Sequence, residues 1–179
     1  GRRRSFGEEQ LIAALRILAA GDIAPERMVG SWAGAMGHTQ FIPTSYLAYA
    51  VDFDNDGRRD LWTEDAVDAL ASAANYLSRF GWEQGAPVFA EVRLPAGFDY
   101  GLADGRARPV ADWAARGVAP IGGGALSGPG AAELILPAGA NGPAFLTFRN
   151  FDVIKRYNNA TSYALAVGLL AERIRGGPG

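Results

Sequence analysis

Three aspartates alternate along one short loop of the sequence. Asp52, Asp54 and Asp56 lie in the stretch DFDNDGRRD, residues 52–60, and Gly57 follows the third of them. Alternating carboxylates in a tight turn bind a hard cation such as Ca²⁺, and the glycine permits the sharp bend of an EF-hand-like loop. The stretch therefore predicts a calcium site; a solvated acidic turn is the alternative.

The second half of this loop departs from the EF-hand pattern. Thr63 stands at the twelfth position, where a bidentate glutamate is expected. Glu64, Asp65 or Asp68 could close a lengthened loop, and Arg58 would contribute its backbone carbonyl. The predicted ligands are Asp52, Asp54, Asp56, Arg58 and Asp68. The ion is expected to be structural, because catalysis requires no open coordination position here.

A second stretch that could do chemistry is GSWAGAMGHTQFIPTSY, residues 30–46, which has neither helical nor strand periodicity. Its glycines let the backbone approach a neighbouring segment or a ligand closely. Hydroxyl and amide groups alternate with aromatic rings, a mixture typical of carbohydrate sites, because sugars present polar edges and apolar faces. The alternative is plain packing, with Trp32 in a core.

Two predicted helices flank these segments and must position them. The first covers residues 8–20 and faces a core, with Gly21 as its C-terminal cap. Its apolar stripe comprises Leu11, Ile12, Leu15 and Leu18. The second covers residues 66–80, with Asp65 as N-cap and Gly81 as terminator. Its stripe comprises Val67, Leu70, Ala74 and Leu77.

The rest of the chain changes in composition twice. Residues 86–148 are rich in glycine and proline, with strands predicted at 87–94, 133–136 and 145–148 and an Asn-Gly hairpin turn before the last. Two helices follow, one capped by Asn150 and one by Thr161. The predicted class is α+β, and the predicted parts are a helical core part at 1–83, a β-rich insertion at 84–148, and helices completing the core at 149–179.

The composition excludes several classes of protein. The 179 residues carry a net charge of −2, too weak a field to favour nucleic acid as a partner. There is no cysteine, so disulfides and thiolate metal sites are excluded. No apolar run approaches the roughly 20 residues of a membrane span.

The glycine-rich stretch closely resembles the signature of the membrane-bound type B family of lytic murein transglycosylases. Three further stretches are similar to that family in the same order: VDFDNDGRRDLW, DALASAANYLSRFGW and FRNFDVIKRYNNATSYALAVGLLAERI. The resemblance spans nearly the whole chain. It implies a mainly α-helical, lysozyme-like core and a peptidoglycan lytic transglycosylase that cleaves the MurNAc–GlcNAc bond and leaves anhydromuramic acid ends.

The resemblance also assigns roles to individual residues. It implies that Ser31 and Gln40 contact the glycan or the catalytic acid. The other positions that match groove or active-site residues are Met36, Phe41, Tyr76, Tyr157, Asn158 and Tyr163. By composition alone, each tyrosine would be a half-buried core residue whose hydroxyl finds a partner.

The catalytic acid of this family has no counterpart in the sequence. The family uses one glutamate as acid and then base, because the substrate's own C6 hydroxyl is the nucleophile. Its ES-x-FG motif is absent, and His38 occupies a variable position. The glutamates that we expect to be solvated are Glu8, Glu9, Glu64, Glu83, Glu91 and Glu133. The acid is expected upstream of Gly1, and this chain alone is expected to be inactive.

The implied partner is the glycan strand of peptidoglycan, and the implied location is the periplasm. Anchoring at the outer membrane through an N-terminal segment outside this sequence is compatible with the resemblance. Two other classes stay open. One is a non-catalytic peptidoglycan-binding module or scaffold, and the other is a calcium-responsive interaction protein, which the lack of a second EF-hand-like loop disfavours.

Overall fold

The computed structural model describes residues 1–176, which divide into two compact units. The first unit comprises residues 1–79, and the second unit begins at Phe80. Helices dominate the first unit, whereas the second combines a sheet with helices. The α+β class predicted from the sequence is therefore confirmed. Within residues 1–176, no helix has both the length and the apolar character needed to cross a membrane.

Three helices form the first unit: α1 (Arg2–Ala20), α2 (Pro43–Tyr49) and α3 (Val67–Arg79). Helix α1 ends as predicted, because Gly21 adopts a left-handed φ of 78° and its N–H bonds to the Leu18 carbonyl. The amide of Gln10 on α1 brackets Thr44 on α2: its Oε1 accepts from the Thr44 N–H at 3.1 Å, and its Nε2 donates to Oγ1 at 3.1 Å. These bonds fix α2 on α1.

The buried face of α1 differs from the predicted one. Ala13 and Ile17 are buried, whereas the side chains of Leu11, Ile12 and Leu15 are all more than half exposed. The prediction that the leucine-rich stripe faces a core is therefore wrong for the described part of the chain. Ala13 and Ile17 lie one helical turn apart on the face of α1 that is buried, and α1 contacts α2.

The buried residues of α3 include two polar side chains, Asp68 and Ser72, beside Ala69, which the apolar periodicity could not indicate. Leu70 is 71% exposed and Ala74 is also exposed, whereas Val67 and Leu77 are half-buried, so the predicted stripe is wrong at Leu70 and Ala74. The helix begins after Ala66, which has a φ of 51°, rather than directly after Asp65. Asp68 and Ser72 turn inward because both accept backbone hydrogen bonds from the segment before the helix.

The second unit contains a five-stranded antiparallel sheet in the order β2-β4-β5-β1-β3. Its elements are β1 (Phe89–Arg93), β2 (Arg108–Pro109), α4 (Val110–Ala115), β3 (Ala119–Pro120), β4 (Ala131–Ile135) and β5 (Ala144–Thr147). Strands β4 and β5 form the predicted hairpin, with Leu134 opposite Leu146. All three predicted strands are confirmed, and β2, α4 and β3 are additions.

Both faces of this sheet are covered. On one face, Trp113 of α4 is fully buried among Val92, Leu134 and Leu146. The other face packs Phe89 and Phe145 against α5 (Arg149–Tyr157) and α6 (Thr161–Gly176). The second unit thus has helix on both sides of the sheet, while the three-part division proposed from the sequence stays a prediction.

The start of α5 differs from its prediction in one residue. Phe148, not Asn150, is the N-cap residue. Asn150 is fully buried, and its amide clamps the segment before β1: Oδ1 accepts from the Glu83 N–H, and Nδ2 donates to the carbonyls of Glu83 and Ala86. The Asn150 amide is therefore directed at the backbone of residues 83–86 rather than at the first turn of α5.

Candidate functional site

A tight turn opens the glycine-rich stretch. The N–H of Ser31 donates to the Ala35 carbonyl at 2.8 Å, and the N–H of Ala35 donates to the Ser31 Oγ at 3.2 Å. The Ser31 side chain is exposed, and its O–H hydrogen stays able to donate to another acceptor. The turn therefore holds one hydroxyl in a fixed place at the surface.

The next turn, Met36–Phe41, combines an exposed amide with buried apolar side chains. The N–H of Met36 donates to the Phe41 carbonyl at 2.9 Å, and both side chains are only 4% exposed. Gln40 is exposed and adopts a φ of 54°, a left-handed conformation that is costly for a residue other than glycine. Its Nε2 donates to the Gly37 carbonyl at 2.9 Å. Backbone strain of this kind concentrates at ligand-binding sites.

An aromatic cluster supports this turn. The ring of Tyr76 on α3 lies 5.7 Å from that of Phe41 and 4.8 Å from that of Tyr49, between centroids. The structure thus brings together three predicted residues, Met36, Phe41 and Tyr76, and adds Tyr49. Its only signal in the sequence is the aromatic spacing within the short stretch PTSYLAY.

The acidic loop gathers three of the predicted ligands. One carboxylate oxygen from each of Asp52, Asp54 and Asp68 lies within 4.8 Å of the others. Asp68 is 5% exposed, and its two oxygens accept the N–H groups of Phe53 at 2.7 Å and Asp60 at 2.9 Å. Asp68 therefore already organises both ends of the loop around the cluster.

The donor atoms of this cluster fit a hard cation. The Oδ1 of Asp52 is buried and has no hydrogen-bond partner among the described residues, whereas buried polar atoms are nearly always paired. A carboxylate oxygen left in this way is a ligand that Ca²⁺ prefers. The backbone N–H of Asp56 lowers the pKa of Asp54, but desolvation and the charges of Asp56, Asp68 and Asp52 outweigh it, so this pKa lies above its ordinary value.

Two of the predicted ligands have other contacts. The Oδ1 of Asp56 accepts the N–H of Arg58 at 2.8 Å, and Asp56 does not belong to the cluster formed by the other three aspartates. Its exposed side chain has a second oxygen free to bind an ion. The roles of Asp56 and of the Arg58 carbonyl as ligands stay predictions.

A buried ionic network, missed in the sequence, joins the acidic loop to the helices. Asp22, 5% exposed, accepts from Arg59 through both oxygens, at 3.2 Å from Nε and 2.6 Å from Nη2. The fully buried Tyr46 donates its hydroxyl to the Arg59 carbonyl at 2.5 Å. Burial, followed by the charge of Asp22, raises the pKa of Tyr46 well above its ordinary value. Nothing in the local sequence distinguishes Asp22 from a solvated residue after a helix cap.

The remaining predicted contacts lie in the second unit. Tyr157 is half-buried at the end of α5, and Tyr163 on α6 is 36% exposed. Asn158 is exposed, and its Oδ1 accepts the N–H of Ala160 at 3.0 Å, which shapes the turn between the two helices. These residues are available at the surface of the second unit, and their contact with a glycan stays a prediction.

The glutamates are exposed or only partly buried throughout the described residues. Glu133 is half-buried, and the other predicted solvated glutamates are exposed: Glu8, Glu9, Glu64, Glu83 and Glu91. A general acid that works near neutral pH needs a carboxyl whose pKa is raised by burial or by neighbouring charge. None of these side chains has the required burial.

Comparison with known proteins gives a family match over most of the chain. Residues 1–172 match the family described as transglycosylase SLT domain. Over 156 residues, the chain is 38% identical to membrane-bound lytic murein transglycosylase B of Escherichia coli (strain K12). The matched segment covers 84% of this chain and 40% of that protein.

Solved structures agree with this match. SltB3 from Pseudomonas aeruginosa, in complex with NAG-anhNAM-pentapeptide, is 55% identical with a TM-score of 0.90 over 99% of this chain. Slt35 from Escherichia coli, in complex with calcium, is 36% identical with a TM-score of 0.78 over 96% of it. The chain spans 48% of the first and 54% of the second, so about half the length of these relatives.

Proposed function

Because this chain belongs to the transglycosylase SLT domain family, we propose that it carries part of the peptidoglycan groove of a lytic murein transglycosylase. The reaction is cleavage of the MurNAc–GlcNAc bond with formation of an anhydromuramic acid end. The observation that carries the proposal is the Met36–Phe41 turn, where a strained, exposed Gln40 directly precedes the buried Phe41. SltB3, which is 55% identical, binds a NAG-anhNAM-pentapeptide.

The proposed contacts divide by chemistry. The hydroxyl of Ser31 and the amide of Gln40 bind the polar edge of the glycan, and the turn over Met36, Phe41 and Tyr76 gives them a rigid base. Rigid placement matters because a sugar forms hydrogen bonds with water as well as with the protein. Protein groups that are held in place before binding lose less conformational entropy when the sugar binds. Tyr157, Asn158 and Tyr163 are the proposed contacts on the second unit.

We further propose a structural calcium ion at the acidic loop. The proposed ligands are Asp52, Asp54, Asp56, the carbonyl of Arg58, and Asp68. The unpaired, buried Oδ1 of Asp52 supports this assignment, as does the calcium complex of the 36% identical Slt35. When bound, the ion would neutralise the clustered carboxylates and thereby hold the loop together. Calorimetric titration of the metal-free chain with Ca²⁺ tests this, and we expect one site.

We propose that the general acid of the reaction is not among the described side chains of this chain, because none of their glutamates is fully buried. We propose that the 179-residue chain binds murein and does not cleave it. The test is incubation with purified sacculi, followed by mass spectrometry of the soluble fraction. We expect no anhydromuropeptides from this chain. Release of anhydromuropeptides would show that the acid lies within it.

Glycan binding is tested separately by cosedimentation with the same sacculi. Replacement of Gln40 by Ala should weaken binding about tenfold, because a hydrogen-bonding group of the groove is lost. The exposed Gln84, in the loop before β1, is the matched control, and Gln84→Ala should bind like the unchanged chain. Equal binding by the two variants would contradict the proposed groove.

A non-catalytic peptidoglycan-binding module or scaffold is the second candidate function. The absence of a fully buried glutamate from the described residues favours it. Both candidates predict binding without cleavage for this chain, so the product of the complete gene must be assayed. Cleavage by that product would reject the scaffold.

The proposed location is the periplasm, where the peptidoglycan substrate lies. One relative, 38% identical, is a membrane-bound murein transglycosylase. Outer-membrane anchoring stays a prediction for this protein. Cell fractionation followed by a high-salt wash distinguishes a free periplasmic protein from one that is anchored.

A further inference from the structure

Two segments that the sequence separates are packed as one body in the first unit. The N–H of His38 donates to the Leu61 carbonyl at 2.8 Å, and its ring Nε2 lies 2.9 Å from the Thr63 carbonyl. Gly37 lies so close that a Cβ there would come within 2.5 Å of the Leu61 oxygen. Leu61 itself is fully buried. The turn over residues 36–41 therefore rests directly on residues 61–63.

The same residues 61–63 are bonded to the acidic cluster. Oδ2 of Asp68 accepts the N–H of Asp60 at 2.9 Å, and Oδ1 of Asp60 accepts the N–H of Trp62 at 2.8 Å. Trp62 donates its Nε1 hydrogen to the Val29 carbonyl at 2.8 Å, just before the glycine-rich stretch. The Asp68 carboxylate is thus connected to Leu61 through consecutive, bonded residues.

The turn also contains a strained residue, whose conformation depends on its surroundings. Gln40 is held in a left-handed conformation at a φ of 54°, and its N–H and side chain both bond to the Gly37 carbonyl, at 3.2 Å and 2.9 Å. A strained conformation persists only when its surroundings hold it in place. Gly37 and His38 provide those surroundings through their contacts with residues 61–63.

We propose that His38 is a positioning residue that couples cation binding at the acidic loop to the Met36–Phe41 turn. The inference rests on the proposed calcium site and groove. Without a cation, the carboxylates of Asp52, Asp54 and Asp68 repel one another, and the loop relaxes together with residues 60–63. With the cation, the loop closes, and the Thr63 carbonyl holds the His38 ring, and with it Gln40, in place.

Coupling of this kind is reciprocal: if bound calcium stabilises the turn, an intact turn raises the affinity for calcium by the same factor. The His38 ring forms one of the hydrogen bonds described above between the turn and residues 61–63. Removal of the ring should therefore weaken calcium binding, although His38 is not a metal ligand. Typical coupling between sites is on the order of fivefold or more in affinity.

The test is amide hydrogen exchange on the 179-residue chain with and without Ca²⁺, together with calorimetric calcium titration. In the unchanged chain, Ca²⁺ should slow exchange in the loop 52–60 and also at the amides of Met36, His38 and Gln40, each by about fivefold or more. In His38→Ala, the loop should still be protected by Ca²⁺, the turn should not, and calcium affinity should fall about fivefold.

Conservative replacement separates positioning from simple stability. His38→Gln keeps an N–H donor on a side chain of similar reach, so it should restore the calcium-dependent protection of the turn. Thr63→Val is the matched control, because His38 contacts the backbone carbonyl of Thr63 rather than its side chain. It should behave like the unchanged chain.

Each outcome decides one part of the inference. Protection of the loop without any change in the turn of the unchanged chain would overturn the coupling. Equal calcium response in His38→Ala and the unchanged chain would overturn the role of His38. Absence of both calcium heat and loop protection would instead reject the calcium site itself, and the coupling with it.

Discussion

The two units of this chain differ in charge at their buried positions, because both buried carboxylates among the described residues lie in the first unit. In the second unit, a fully buried Trp113 packs in an apolar cluster across one face of the sheet. In the first unit, the buried side chains include the carboxylates of Asp22 and Asp68 and the hydroxyl of Ser72. Each of these three accepts a backbone N–H from the acidic loop or its flanks.

This difference indicates which unit responds to its ionic surroundings. Apolar burial depends on area removed from water and is nearly independent of calcium and moderate pH changes. Buried carboxylates are stable only while their partners stay in place. We therefore expect the first unit to respond to calcium and proton concentration, and the second unit to respond mainly to changes in packing.

The largest expected effect is in the apolar unit. Trp113→Ala should lower the free energy of unfolding of the second unit by about 3–5 kcal/mol, because it leaves a cavity. It also removes the bond from Nε1 to the Ala132 carbonyl at 2.9 Å. Denaturant titration monitored by amide exchange of residues 144–147 measures the loss.

The control for this prediction is Trp82→Ala, since Trp82 in the same unit is 36% exposed. Its expected loss is smaller, under about 1.5 kcal/mol, because less apolar surface leaves the core. Addition of calcium should restore neither variant. Rescue of Trp113→Ala by calcium would refute the separation between the two kinds of stability.

The next largest effect is in the acidic cluster. Asp68→Asn removes one acceptor oxygen and turns an NH₂ group toward a backbone N–H, either that of Phe53 or that of Asp60. We expect the first unit to lose about 1–3 kcal/mol of unfolding free energy, the cost of an unpaired buried donor. Calcium affinity should fall by more than tenfold, because one charged ligand is lost.

Thermal unfolding with and without calcium, together with calorimetric titration, measures both changes. The exposed Asp65, close in sequence, is the matched control, and Asp65→Asn should retain calcium affinity within about twofold, because an exposed charge is largely screened. If Asp68→Asn bound calcium as tightly as the unchanged chain, Asp68 would not be a ligand.

A smaller effect is expected from a neutral group on the same face of α3. Ser72 is fully buried, and its Oγ accepts the N–H of Val51 at 2.9 Å. Ser72→Ala leaves that N–H unpaired and should cost about 1–2 kcal/mol. Ser78, exposed on the same helix, is the control. A Ser72→Ala loss no greater than that of Ser78→Ala would show that water replaces the hydroxyl.

The sequence allowed prediction of features that depend on the residue types within one short stretch. Alternating aspartates indicated the acidic loop, and short stretches within the glycine- and proline-rich region indicated β1, β4 and β5. The faces of the helices were not predictable in the same way. An apolar stripe such as Leu11 and Leu15 shows that a helix is amphipathic, and it does not show which side the described chain covers.

The buried polar residues were the least predictable part of the site. Asp68 and Ser72 face inward because they satisfy backbone groups far away in sequence, and such partners leave no local pattern. The same holds for Asn150, which resembled a helix cap and instead clamps residues 83–86. Pairings of this kind depend on the tertiary structure, so only the structure reveals them.

The smallest expected effect distinguishes two aspartates, one from each unit. In the second unit, a bidentate hydrogen bond from Arg108 lowers the pKa of Asp104 to about 2. Its ordinary pKa is 3.8, so its contribution to stability is present above that value and is lost as the pH falls through about 2. Asp54 in the first unit has a raised pKa, so the cost of its charge disappears at acid pH.

Carboxyl ¹³C shifts measured against pH compare these two aspartates directly. Asp54 should titrate above Asp104 in the metal-free chain, because neighbouring carboxylates disfavour its charged form. Calcium should lower the midpoint of Asp54 and leave that of Asp104 unchanged, because a bound cation favours the carboxylate only at the site it occupies. A calcium-induced shift at Asp104 would show that the ion binds in the second unit, and an unshifted Asp54 would remove it from the set of ligands.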